Sequence, residues 1–150
     1  MTSKWDDRYI ELAKQVASWS KDKTKIGAVI VGQFGQILST GYNGFPRKIA
    51  DTEERLADRD VKLSYIAHAE MNCIYNACNI GVCLRDSTLY IYGLPVCSEC
   101  AKGVIQCGVK RVYEMYDRIK FESAPHWIRS GQLSKSMFTE AGIEYTSLAF

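Results

Sequence analysis

Trp5, Tyr9, Leu12, Ala13, Val16 and Trp19 recur at helical spacing, which predicts an amphipathic helix over the ~15 residues after Trp5. The pattern then changes period. Gly27-Ala-Val-Ile-Val31 is a short apolar run rich in β-branched residues, and Gln36-Ile-Leu-Ser-Thr40 follows it across a Gly-containing turn, so the pair reads as a β-hairpin. Residues 44–64 hold Pro46 and a mixed-charge stretch from Asp51 to Asp60 with no apolar stripe; they read as a long surface loop with at most one helical turn. Beyond it the pattern predicts a helix from about Ala67 to Cys78, a strand from Ser87 to Tyr92 and a helix from about Cys97 to Cys107 that stops at Gly108. A strand over Lys110–Met115, a helix over Ser134–Ala141 that stops at Gly142, and a short strand over Glu144–Ser147 complete the series. The order α-β-β-α-β-α-β-α-β predicts an α/β domain with a five-stranded sheet and helices on both faces.

Composition narrows the function classes. The 150 residues fit one domain over residues 1–150. Nineteen basic and 17 acidic side chains leave a net charge of +2, too balanced for a nucleic-acid or membrane surface. No apolar run approaches the ~18 residues of a membrane span, and Met1–Asp7 lacks the apolar stretch of a signal peptide. The chain is therefore expected to be cytoplasmic. Six cysteines, at positions 73, 78, 83, 97, 100 and 107, are then expected to be ligands or buried thiols instead of disulfides.

Two motifs carry the chemistry. His68-Ala69-Glu70 and Cys97-Ser98-Glu99-Cys100 each lie at the start of a predicted helix. A Cys-x-x-Cys there puts both sulfurs on one side of the first turn, where exposed N–H groups and the helix dipole favour thiolate. Two thiolates and the His68 imidazole make three zinc ligands, and a catalytic zinc keeps its fourth position for water. Glu70, two residues from His68, is placed to handle protons beside that water. A redox dithiol has no use for His68 and Glu70, and a closed structural zinc needs a fourth Cys or His. The one other histidine, His126, precedes Trp127 in a weakly patterned stretch and reads as surface or packing. Cys73, Cys78, Cys83 and Cys107 lack ligand spacing with a histidine and read as buried thiols.

H-x-E with C-x-x-C is the signature of zinc nucleobase deaminases. With the surrounding residues, the chain resembles the cytidine/deoxycytidylate deaminase superfamily, most closely its deoxycytidylate (dCMP) branch, from Trp19 to Gly142. The resemblance rests on Lys25-Ile-Gly-Ala-Val-Ile-Val31, Gly41-Tyr-Asn-Gly-Phe-Pro46, His68-Ala-Glu-Met-Asn72 and Cys97-Ser-Glu-Cys-Ala-Lys102. It implies a cytidine-deaminase-like three-layer α-β-α sandwich with a mixed sheet, one Zn²⁺ per chain on His68, Cys97 and Cys100, and hydrolysis of dCMP to dUMP and ammonia with Glu70 as proton carrier. It also implies that Asn43 binds the sugar, and it puts Tyr116 where family members cover the base, a position that equally suits strand-end packing. Ala67 and Ala69, flanking His68, are small enough to let a planar base approach the metal. Lys23, Lys25 and Arg47 flank the implied pocket as candidates for the 5′-phosphate. The resemblance further implies a homo-oligomer, commonly a hexamer, and admits a dCTP or dTTP effector with Mg²⁺. Substrates such as dCTP or 5-substituted dCMP remain open, as does a tRNA- or single-stranded-DNA-editing role, against which the modest charge argues. A non-catalytic zinc module is a third reading, which Glu70 argues against. One position departs from the family: Val96 stands where Pro usually precedes the first cysteine, with Pro95 one residue earlier. The course of the Leu94-Pro95-Val96 turn, a backbone carbonyl of which faces the leaving amine in the family, is thereby left open.

Overall fold

The computed structural model describes residues 2–150. Helix α1 (Lys4–Ala17) opens on a capping box in which Ser3 and Asp6 satisfy each other's backbone N–H groups. The hairpin follows as β1 (Gly27–Val31) and β2 (Ile37–Tyr42). Residues 44–64, expected to be a loop, instead hold two short helices, α2 (Glu53–Ala57) and α3 (Arg59–Tyr65). Neither buries a residue, so no apolar periodicity marks them; their signals are the capping side chains of Thr52 and Asp58. Then come α4 (Ala69–Ile80), β3 (Thr88–Gly93), α5 (Ser98–Gln106) and β4 (Arg111–Tyr116). A further helix, α6 (Arg118–Glu122), capped by Asp117, was not expected, and α7 runs from Pro125 to Glu140, twice the expected span. Its first half buries little, which hides the period, although Pro125 at its start is a readable signal. Strand β5 (Glu144–Ala149) ends the chain.

The sheet order is β2-β1-β3-β4-β5. Strand β1 is antiparallel to both β2 and β3, while β3, β4 and β5 are parallel, so the sheet is mixed. Strand alternation divides the core in two. Val29, Val31, Tyr90 and Tyr113 meet Tyr9, Ile10, Ala13 and Val16 of α1 on one face. Ala28, Ile30, Leu89, Ile91 and Val112 meet α4, α5 and Phe138 of α7 on the other. The outcome is the expected three-layer α-β-α sandwich.

Two glycines permit the helices to sit this close. A Cβ on Gly27 would lie 2.0 Å from the Ala13 carbonyl oxygen of α1, and one on Gly41 would lie 2.4 Å from the Cys73 nitrogen of α4. Gly41 thus brings the end of β2, and Asn43 just beyond it, against the start of α4. Of the six cysteines, only Cys73 and Cys100 are buried; Cys78 and Cys83 are exposed and Cys107 half-buried, contrary to the expectation of buried thiols.

Candidate active site

The N-termini of α4 and α5 converge beyond the carboxyl end of β3, the edge at which parallel α/β sheets place their ligands. His68 is the N-cap of α4 and Cys97 the N-cap of α5, and the Cys97 sulfur accepts the Cys100 N–H at 3.4 Å. The His68 Nδ1 lies 3.4 Å from both the Cys97 and the Cys100 sulfur. Donors about 2.0–2.3 Å from a tetrahedral zinc stand about 3.5 Å apart, so one imidazole and two thiols at this spacing fit that ion. Among the described residues this trio is the one cluster of three or more metal-type donors, all within 4.8 Å of one another.

The electrostatics of the trio suit a cation. Hydrogen bonds with Cys100 and then His68 draw the Cys97 thiol down to about 4. The Cys100 thiol is pushed up by its hydrogen bond with Cys97 and by burial. Hydrogen bonding to Cys97 raises the His68 imidazole to about 9, with the Glu70 carboxylate adding to the effect. A divalent cation held by His68, Cys97 and Cys100 would take the place of these protons and keep both sulfurs as thiolates.

Glu70, in the first turn of α4, is 3% exposed. Burial pushes its carboxyl up to about 7, with the neighbouring Cys97 adding to the rise. A carboxyl of that value exchanges protons readily near neutrality. His68, Glu70 and Cys97 all line one cleft, whose wall also includes Asn43. The Asn43 side chain accepts from the Ile26 N–H at 3.0 Å and donates to the Thr24 carbonyl at 2.7 Å, and Thr24 and Ile26 line the cleft beside it. Asn43 therefore holds the rim formed by residues 24–26. Ala69 is fully buried between His68 and Glu70.

Three other expected contacts are displaced. Lys25 Nζ donates to the Ser20 carbonyl, and Lys25 is not among the cleft-lining residues. Arg47 binds the Asn76 side chain and lines a separate hollow with Tyr42, Phe45 and Tyr75. Tyr116 packs edge-on against Phe121, at 5.1 Å between ring centroids, and lies behind the cleft wall. Phe121 and Trp127 bring the aromatic surface to the cleft instead. Among the lining residues Lys62 is the one lysine or arginine; it pairs with buried Asp22 at 3.2 Å. These residues come from α3, α6 and the first half of α7, the elements least visible in the hydrophobic pattern. His126 is exposed, as expected, but its neighbour Trp127 faces the cleft.

The Val96 departure has a structural counterpart. The Val96 N–H, which a proline would lack, donates to the buried carboxyl of Glu114 at 3.0 Å. The Val96 carbonyl accepts from Ser134 Oγ at 2.7 Å.

Comparison with known proteins agrees with this geometry. Residues 3–115 match the model of the cytidine and deoxycytidylate deaminase zinc-binding region. The chain is 36% identical over 149 residues to a protein of Aliivibrio fischeri described as an uncharacterized deaminase in the luxG 3′ region, covering 99% of this chain and 96% of that one. It is 32% identical to the deoxycytidylate deaminase of Homo sapiens, covering 94% and 78% of the two chains. The fold resembles that of the dCMP deaminase of cyanophage S-TIM5, with a TM-score of 0.75 over 99% of both chains at 22% identity. The matched region contains both halves of the His-Cys-Cys cluster and Glu70, and the chain belongs to the cytidine and deoxycytidylate deaminase family.

Proposed function

We propose that this protein hydrolyses dCMP to dUMP and ammonia, as a cytoplasmic enzyme with one zinc per chain on His68, Cys97 and Cys100. The observation that carries the reading is the His68-Cys97-Cys100 cluster with the buried carboxyl of Glu70 beside it, opening into one cleft. Zinc in such a site supplies Lewis-acid activation of water at neutral pH. Glu70 takes a proton from the attacking water and delivers it to the ring nitrogen N3, then takes the remaining proton from the new C4 hydroxyl and gives it to the departing amine. A C–O bond forms at C4 of the base and the C4–N4 bond breaks, so water and dCMP become dUMP and ammonia. Burial of Glu70 suits this work, because a carboxyl held near neutral accepts and releases protons with little penalty. Phe121, Trp127 and Leu94 supply apolar walls for the planar base. The rim that Asn43 anchors is the place for the sugar.

Lys62 replaces Lys25 and Arg47 as the candidate for the 5′-phosphate, since it is the cation of the cleft wall. Engaging a phosphate requires Lys62 to turn from Asp22. Relatives described as deoxycytidylate deaminase, at 32% identity, and as probable deoxycytidylate deaminase, at 34%, support the nucleotide. The test is a panel of deoxycytidine, dCMP, dCTP, single-stranded DNA and tRNA, assayed for ammonia release. The expected order puts dCMP first, with about a 10–100-fold loss for deoxycytidine, the worth of one charge-assisted bond. Lys62→Ala is expected to slow dCMP more than deoxycytidine. Equal rates on the two substrates would leave a nucleoside deaminase, and preference for a polynucleotide would indicate an editing enzyme.

Self-association belongs to the same reading. Strand β2 is a sheet edge, and exposed Tyr42 on it and Tyr75 and Ile80 on α4 are apolar surface a second copy would cover. Light scattering measures the assembly, a hexamer being expected. Repeating the panel with dCTP or dTTP and Mg²⁺ tests for an effector.

A further inference from the structure

The peptide joining Pro95 to Val96 runs between the cleft and a second hollow behind it. Pro95 lines both, and Glu114 lines only the hollow. Glu114, on β4, is fully buried. Its carboxyl accepts three hydrogen bonds: the Val96 N–H at 3.0 Å, the Ser147 hydroxyl at 2.8 Å, and the Tyr145 hydroxyl. A buried carboxyl is costly unless its hydrogen bonds are met. Two of its partners belong to β5, so the third bond ties the turn before Cys97 to the far side of the sheet. Ser134 of α7 holds the Val96 carbonyl and Ser130 accepts the Ser98 N–H at 2.8 Å, which completes the clamp on this turn.

A trans peptide has its N–H and C=O on opposite sides, and every described peptide bond is trans. With the Val96 N–H turned to Glu114, the Pro95 carbonyl points away from Glu114, and Pro95 itself lines the cleft. Among the described residues no donor pairs with the Pro95 carbonyl oxygen. We propose that Glu114 is a positioning residue: by gripping the Val96 N–H it fixes the Pro95–Val96 peptide plane and aims the Pro95 carbonyl at the amine of the bound base. The carbonyl accepts a hydrogen bond from that amine and orients it for departure. The grip needs an N–H at position 96, so the carboxyl of Glu114 and the replacement of proline by Val96 form one device. The inference rests on the deaminase reading, and its test separates the two.

The test is a double-mutant cycle on the zinc-loaded enzyme with dCMP. Glu114→Ala is expected to lower kcat about 10–100-fold with zinc content unchanged and KM nearly so, as for a misaimed group near the reaction. Glu114→Gln, which retains an acceptor for the amide and lets the hydroxyls reorient, is expected to restore most of kcat. In a Val96→Pro background, Glu114→Ala is expected to cost no further kcat, since the N–H through which it acts is gone. Should Glu114→Ala fail to fold, Glu114→Met, which fills the volume without a comparable acceptor, is read in its place. Wild-type kcat in a folded, acceptor-less variant overturns the proposal, even if the melting temperature falls. So does an equal loss in the Val96→Pro background, or loss of zinc along with activity, which would make Glu114 a support for Cys97. A wild-type protein that deaminates nothing on the panel refutes the deaminase reading itself.

Discussion

Glu70 and His68 sit two residues apart with different proposed roles, one towards protons and one towards the metal. Their places in the helix explain why. His68 is the N-cap, where its side chain leans out to meet the sulfurs of α5, and Glu70 is one step inside the first turn, against the buried wall. Glu70→Ala is therefore expected to retain one zinc per chain by elemental analysis while ammonia release falls by about 10²–10⁴. Cys100→Ala is expected to lose most of the zinc. Near wild-type turnover in Glu70→Ala would remove the proton role, and loss of zinc in that variant would make Glu70 a ligand.

The site's geometry depends on elements held by polar ties as well as by apolar faces. Helix α1 is joined to the sheet by Asp6, 3% exposed, which receives Arg111 of β4 at 2.7 and 3.0 Å and the Tyr90 hydroxyl of β3 at 2.7 Å. Desolvation alone would raise the Asp6 carboxyl, but the hydrogen bonds from Arg111, Ser3 and Tyr90 outweigh it and hold it well below the usual carboxylate range. A lowered native value means the carboxylate stabilises the fold above about pH 4, the unfolded value, and that the contribution is lost as pH falls further towards the native one. The urea midpoint is thus expected to hold from pH 7 to about pH 5 as far as this group is concerned, and to fall below pH 4. Asp6→Ala, which leaves Arg111 only the exposed Glu144 as a partner, is expected to cost about 3 kcal/mol at pH 7 and to weaken the acid dependence. An unchanged acid limb in that variant would assign it to other carboxylates.

At the scale of the whole molecule, the cleft joins contributions that are remote in the chain. Asn43 follows β2, His68 and Glu70 begin α4, Cys97 begins α5, and Trp127 and Ser130 come from α7. A metal on His68, Cys97 and Cys100 ties α4 to α5, so it binds the folded chain more tightly than the unfolded one and stabilises it. Removing it with a chelator is expected to lower the melting temperature by several degrees, with recovery on adding zinc. A melting temperature indifferent to chelation, in protein shown to have lost its metal, would mean that the two helix ends are already fixed by packing.

Much of the fold was readable in the chain itself because its signals are local. The β-branched run at Gly27–Val31 sets a strand, the apolar spacing after Trp5 sets a helix, and the H-x-E and C-x-x-C spacings place donors on two first turns whatever the rest of the chain does. The helices at Glu53–Ala57, Arg59–Tyr65 and Arg118–Glu122 escaped, since none buries a residue and only their caps mark them. The cleft's cation and aromatic wall were equally hidden, for Lys62, Phe121 and Trp127 owe their positions to how those helices and α7 lie across the sheet. Lys25 and Arg47, adjacent in sequence to motif residues, turn to Ser20 and Asn76 because a side chain's direction depends on which partner folding brings near. The chemistry of the metal-type cluster was thus a property of sequence, since it needs only donor types at fixed helical spacing. The shape of the substrate cleft and the grip of Glu114 on Val96 were decided by tertiary structure, which alone brings β4 and β5 to a turn 18 or more residues away.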